Sequence, residues 1–203
     1  LEQLHLTLGV RYSEDERAIE TAQYASGFQF FSTQADGTWD NTSTDFTVSY
    51  DITDDVNVYG KYVEGYKTGG FNIRGTSVVA ATTPVSEETV GTWEAGIKSQ
   101  FLDDRARLNA AVFTSDYEDI QLSFAAIGDP TNTVLYNAGK ATIDGAELDL
   151  TALITDSLLL TLGYGYLDAS VDEVIDPATG ANLVDTAKYA LPSAPENSFT
   201  ADL

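Results

Sequence analysis

The chain has 203 residues, and its 32 acidic and 10 basic side chains give a formal net charge of −22, so it has no basic patch of the kind that binds nucleic acid. It contains no cysteine, which excludes disulfides, thiolate nucleophiles and zinc–thiolate sites. It also has no run of about eighteen apolar residues, which argues against a membrane-spanning helix.

The first predicted element is a strand whose side chains alternate between two faces. Leu4, Leu6, Leu8, Val10 and Tyr12 share one face, and polar or small residues share the other. The same period of two recurs in residues 93–101, 146–152 and 158–166. In each of these strands one face is oily and the other is polar or small, so the chain is predicted to be all-β.

The connections between the predicted strands fall into two classes. Three short acidic turns begin at residues 51, 102 and 154. Much longer connections are expected around residues 14–43, 69–87 and 171–196. Tight turns at one edge of the sheet and large loops at the other are typical of a transmembrane β-barrel, with the turns in the periplasm and the loops outside. We therefore expect an antiparallel meander of about eight strands that forms part of a larger barrel.

A soluble β-sandwich would show the same alternation, because it buries its oily face against a second sheet. Strand length favours the barrel, since the predicted strands run to a dozen residues or more and globular strands usually have about five or six. Aromatic residues near strand ends also suggest the interfacial girdle of a barrel. They are Tyr50, Tyr59, Tyr62, Tyr66, Trp93, Tyr117, Tyr164 and Tyr166.

Three motifs follow one another along the chain. Residues 59–72 read YGKYVEGYKTGGFN, residues 88–121 read ETVGTWEAGIKSQFLDDRARLNAAVFTSDYEDIQ, and residues 137–150 read NAGKATIDGAELDL. In this order they resemble the barrel motifs of TonB-dependent outer-membrane receptors, and the LPSAP stretch at 191–195 resembles the segment before a late strand of that family. The resemblance covers most of the chain.

The resemblance implies a bacterial outer-membrane location and a barrel of twenty-two strands. Family members carry a plug domain and a TonB box, and we expect neither within residues 1–203. We therefore expect residues 1–203 to be a fragment of the C-terminal half of the barrel, without a signal peptide and without the final strands. The implied partners are outer-membrane lipid and lipopolysaccharide, the TonB complex acting through the plug, and a scarce nutrient, most simply a ferric siderophore or other iron complex.

The resemblance also assigns residues. A structural role in the barrel is expected for the motif residues Gly65, Lys67, Gly69, Gly70, Glu94, Gly96, Lys98, Asn137, Gly139, Lys140, Gly145 and Glu147. Gly69 and Gly70 are expected to provide the positive φ of a loop exit, and the two lysines Lys67 and Lys140 to pair with nearby carboxylates. Cargo is expected to meet the loop after Phe71 and residues around 129–136 and 172–189. The aromatic and polar candidates there are Tyr66, Phe71, Asn72, Arg74, Phe124 and Tyr136.

Two other functions stay open: a small self-contained outer-membrane barrel or adhesin, and a soluble secreted β-sandwich that binds carbohydrate or calcium. An enzyme is not expected, because the only histidine, His5, lies in mid-strand and no serine lies in a nucleophile-elbow sequence. No cofactor or metal is expected. The acidic clusters at 14–16 and 168–176 do not follow the calcium-loop spacing.

Overall fold

The computed structural model describes residues 2–126, 129–184, 191 and 193–203. They form one antiparallel sheet whose eight strands follow chain order, with β1 and β8 at its two edges. The strands are β1 Leu4–Ala25, β2 Phe28–Thr53, β3 Val56–Lys67, β4 Glu88–Phe101, β5 Ala106–Ala126, β6 Asp129–Thr155, β7 Leu158–Val174 and β8 Asn197–Asp202. The predicted eight-stranded meander is confirmed, and the described residues contain no second sheet of the kind that a sandwich requires.

One face of the sheet is apolar across all eight strands. Successive strand pairings align one residue from each strand in a continuous row: Leu4, Tyr50, Val58, Ile97, Ala110, Leu148, Tyr164 and Phe199. The apolar side chains of β1 on this face are open to the surroundings, with Leu8 78% and Val10 74% exposed. An oily face that no protein covers is what a strand presents to lipid.

The three acidic turns lie where the sequence predicts them. Two residues separate β2 from β3 and β6 from β7, and four separate β4 from β5. The girdle is confirmed only in part. Tyr62 and Trp93 are paired on the apolar face with ring centroids 4.7 Å apart, but Tyr59 and Tyr117 lie on the polar face. The sequence places these two rings near strand ends, and only the register decides their face.

The predicted connection at 14–43 is wrong. These residues continue β1 and β2 as a long hairpin, which closes at Ser26 and Gly27 with φ of 50° and 81°. The predicted loop around 129–136 is likewise the start of β6. Polar residues interrupt the apolar pattern in both stretches, so neither shows a continuous oily stripe, yet backbone hydrogen bonds maintain the ladder.

Two long connections remain, and both lie at the end of the sheet opposite the three tight turns. The first joins β3 to β4 and contains the helix α1, Val78–Thr82, whose first turn is capped by the Ser77 hydroxyl, which accepts from the Ala80 amide at 3.2 Å. Within the described residues, no helix has the length and apolarity to cross a membrane. The second follows β7, and residues 185–190 and 192 of the predicted connection 171–196 lie outside the described residues.

Candidate functional site

The connection between β3 and β4, residues 68–87, which we call the strap, is anchored at its start by an aromatic contact. The Trp39 ring of β2 meets Phe71 edge-on with centroids 5.5 Å apart. A Cβ atom at Gly69 would collide with this indole and with the Val85 carbonyl oxygen. The expected positive φ at Gly69 and Gly70 is wrong, because among the described glycines only Gly27 and Gly180 adopt it. Gly69 instead allows close approach.

The β5–β6 side of the sheet clamps the other end of the strap. The Asn137 side chain accepts from the Ser86 amide at 2.7 Å and donates to the Ser86 carbonyl at 3.0 Å. The side-chain amide of the neighbouring Gln121 donates to the carbonyls of Thr68 at 3.0 Å and Ser86 at 2.9 Å. The Gln121 side chain therefore ties both ends of the strap together. The motif residue Asn137 satisfies backbone groups that the strap cannot pair internally.

The β1–β2 hairpin holds the strap from the opposite side. Asn41 donates to the Glu87 carboxylate at 3.1 Å, and Gln23 donates to the Gly75 carbonyl at 3.3 Å. The motif cation Lys67 pairs with Glu88 at 3.1 Å at the root of the strap. The strap is thus bonded to strands on both sides, which makes it a fixed platform at the outer edge of the sheet.

The six predicted ligand residues fall into two groups. Tyr66, Phe71, Asn72 and Arg74 lie on or beside the strap, where the Tyr66 hydroxyl donates to Asp15 at 2.8 Å. Phe124 and Tyr136 lie on β5 and β6, with ring centroids 6.3 Å apart. The buried Asn72 side chain joins the groups, since it donates to the Thr133 carbonyl at 2.5 Å and accepts from the Arg74 amide at 3.0 Å. The structure therefore brings the two groups to one end of the sheet.

A cavity of about 470 Å³, which we call the outer cavity, lies between the ends of β5 and β6 and the turn after β7. Its lining includes Phe124, Val134, Tyr136, Asp176, Thr179 and Leu183. The Asp176 carboxylate accepts from the Ala178 amide at 2.8 Å and from the Thr179 hydroxyl at 2.9 Å. These bonds hold the pKa of Asp176 below its ordinary value of 3.8, so the cavity carries a fixed negative charge.

The remaining motif residues lie within the sheet. Tyr59 stands over Gly96 and Phe113 over Gly145, each ring occupying the space of the absent Cβ. Glu94 accepts from the Tyr59 hydroxyl at 2.7 Å and pairs with Lys61 at 2.9 Å on the polar face.

The other five motif residues are placed by their neighbours. Lys98 lies 5.3 Å from the Tyr59 ring centroid, and Lys140 reaches Glu118 at 3.9 Å. Gly65 lies against Val90, Gly139 against Leu122, and Glu147 is paired with Gly165. Among the residues that the structure describes, no group of three or more histidines and carboxylates is arranged to hold a metal ion.

Sequence reasoning did not identify four residues that hold the strap: Gln23, Trp39, Asn41 and Gln121. The first three fall in the segment predicted as a connection, and Gln121 is the last residue of the second motif, where it had no assigned role. The signal that could have identified Trp39 is a large aromatic side chain in an otherwise polar run, which needs a packing partner.

The chain matches a known family along its whole length and individual relatives over most of it. A family model described as TonB dependent receptor-like, beta-barrel, covers residues 1–203. The pesticin receptor of Yersinia enterocolitica is 33% identical over 141 residues, which make up 70% of this chain and 20% of that receptor. The probable TonB-dependent siderophore receptor PiuA of Acinetobacter baumannii is 26% identical over 160 residues, or 75% of this chain and 21% of that protein.

A solved structure has the same fold. The crystal structure of the ferric yersiniabactin uptake receptor FyuA from Yersinia pestis aligns with a TM-score of 0.78 at 23% sequence identity, covering 99% of this chain and 28% of that one. The chain therefore spans about a fifth of the length of the two curated relatives described above.

Proposed function

The chain belongs to the TonB-dependent receptor β-barrel family, and on that premise we propose that its parent protein imports a ferric siderophore or another iron complex. The chain is part of an outer-membrane β-barrel, and its family consists of receptors and not of enzymes. The proposal includes the domain organisation: residues 1–203 are barrel, and a plug supplied elsewhere in the parent protein receives energy from TonB.

The observation that carries this proposal is the strap. Its bonds to both flanking hairpins fix Phe71, Asn72 and Arg74 at the outer end of the sheet, where a barrel meets its cargo. Binding sites need side chains that the scaffold holds in place before the ligand arrives, because ordering a mobile loop costs affinity. The names of the relatives, a siderophore receptor and a ferric yersiniabactin receptor, support iron complexes as the cargo class.

The test is uptake of radioactive ferric siderophores by iron-starved cells that produce the full-length receptor. We expect simultaneous replacement of Tyr66, Phe71, Asn72, Arg74, Phe124 and Tyr136 by alanine to abolish uptake, because these side chains form the proposed contact surface. Replacement of the exposed strap residues Ile73 and Val79 by alanine serves as the control and is expected to leave uptake intact. Unchanged uptake in the six-residue variant, at equal surface expression, contradicts the proposed site.

A further inference from the structure

We propose that the outer cavity binds a positively charged group, a protonated amine or quaternary ammonium, carried on an apolar or aromatic body. The inference rests on the proposed function, since in this protein such a group would be part of the imported complex. It adds the charge and chemical class of one part of the cargo.

An ordered turn forms one wall of the cavity. After β7 the chain reverses over residues 176–180, where the Gly180 amide donates to the Asp176 carbonyl at 2.8 Å and Gly180 has a φ of 70°. The Ile175 amide donates to the Ala138 carbonyl of β6 at 2.7 Å, and the Asp176 amide donates to the Ala181 carbonyl at 2.9 Å. Backbone bonds therefore hold the turn at a fixed distance from β6.

The opposite wall is aromatic and aliphatic. Phe124 and Tyr136 meet edge-to-face at 63°, and Val134 lies beside them. A ring face carries partial negative charge, so it attracts a cation within about 6 Å of its centroid. The volume of about 470 Å³ lies in the range of small-molecule sites.

Among the residues that the structure describes, the Asp176 carboxylate is the only ionised group that lines the cavity, and none of the lining residues is a lysine or arginine. Each carboxylate oxygen accepts one bond from the turn and keeps capacity for a further donor. An anionic group in the cavity would find no cationic partner among the described lining residues to offset its desolvation. A cation there would be attracted both by the carboxylate and by the rings.

The experiment uses the full-length receptor in a neutral maltoside detergent at physiological salt. The probe is para-fluorobenzyl-trimethylammonium, titrated by fluorine NMR, and para-fluorobenzoate is the anionic counterpart. We expect Asp176→Asn and Phe124→Leu each to weaken binding of the ammonium probe by about tenfold, because each removes one of the two attractions. Asp104→Asn removes an acid from the distant turn before β5 and serves as the control. It is expected to stay within about twofold of the wild type.

The inference is overturned if benzoate binds as tightly as the ammonium probe, or if Asp176→Asn binds the ammonium probe like the wild type. It is also overturned if Asp104→Asn weakens binding of the ammonium probe as strongly as Asp176→Asn, since the net charge of the protein would then matter and not the carboxylate in the cavity. Iron uptake is measured separately. A receptor that binds the ammonium probe but imports no iron complex contradicts the proposed function, and one that imports iron but does not bind the ammonium probe contradicts only this inference.

Discussion

Several motif glycines leave room for an aromatic ring from a neighbouring strand. Gly69 lies under Trp39, Gly96 under Tyr59 and Gly145 under Phe113, and in each case a Cβ atom would fall inside van der Waals contact with the ring. None of these three glycines has a positive φ. These glycines are therefore needed because they lack a Cβ atom where a ring packs, and not because they adopt an unusual backbone conformation.

We expect Gly69→Ala to lower the free energy of unfolding of the full-length receptor by about 1–3 kcal/mol, because the added methyl group overlaps a backbone carbonyl and a packed indole ring. Gly60→Ala is the control, since its Cβ would meet nothing closer than the Glu94 carbonyl oxygen at 3.9 Å. Urea titration of the folded receptor in detergent measures both variants. Equal stabilities would show that the close approach at Gly69 is unimportant.

At the scale of elements, the strap depends on the hairpins beside it. Its own secondary structure is one five-residue helix, which is too short to be stable alone, and one β-bridge between Gly70 and Val85. Asn137 on one side and Trp39 on the other supply the bonds and the packing that hold it. The order of the strap is therefore a property of three elements together.

Removing the Asn137 clamp should release the strap without unfolding the sheet. Asn137→Ala leaves the Ser86 amide and carbonyl without this partner, at a cost of about 1–3 kcal/mol for the lost bonds. We expect faster amide hydrogen exchange and protease cleavage within residues 68–87, with the strands still protected. Asn197→Ala, which removes a side-chain bond with Tyr164 on the far strand, is the control. Equal protection of the strap in both variants contradicts the clamp.

The strands differ along their length in how well the sequence predicts them. The strand segments that face lipid were predictable, because residues 4–12 and the corresponding residues of the other strands alternate between oily and polar side chains. The part of the β1–β2 hairpin around Trp39 was not predictable, because outside the membrane both faces of the hairpin meet water and the alternation disappears. The six ligand candidates lie at the loop end of the sheet, as predicted, and their contact with cargo stays a prediction. The bond from Asn72 to Thr133 that joins them depends on a tertiary approach that no local pattern encodes.

At the scale of the whole molecule, the two faces of the sheet meet different surroundings. Val112 on the apolar face is 59% exposed and is paired with Ala95 and Ala146, whereas its neighbour Ala111 is paired with Gly96 and Glu147 on the polar face. This division follows from the period of two, which places neighbouring residues in lipid and in the barrel interior.

A charged side chain should therefore be tolerated at position 111, on the polar face, and not at position 112, on the apolar face. Val112→Arg is expected to destabilise the full-length receptor by about 2–4 kcal/mol, because it places a guanidinium in the hydrocarbon. Ala111→Arg faces Glu147 and is expected to cost less. The folded fraction after insertion into vesicles, read from the heat-dependent gel shift, compares them. A larger loss for Ala111→Arg would show that the faces are assigned the wrong way round.

Radioactive iron accumulation decides whether this chain is part of a TonB-dependent importer of iron complexes. Iron-starved cells that produce the full-length receptor are supplied with a panel of ferric siderophores, with and without a functional TonB protein. We expect accumulation of at least one complex that requires both the receptor and TonB. Receptor-dependent accumulation that persists without TonB, or no receptor-dependent accumulation of any ferric complex, would contradict it.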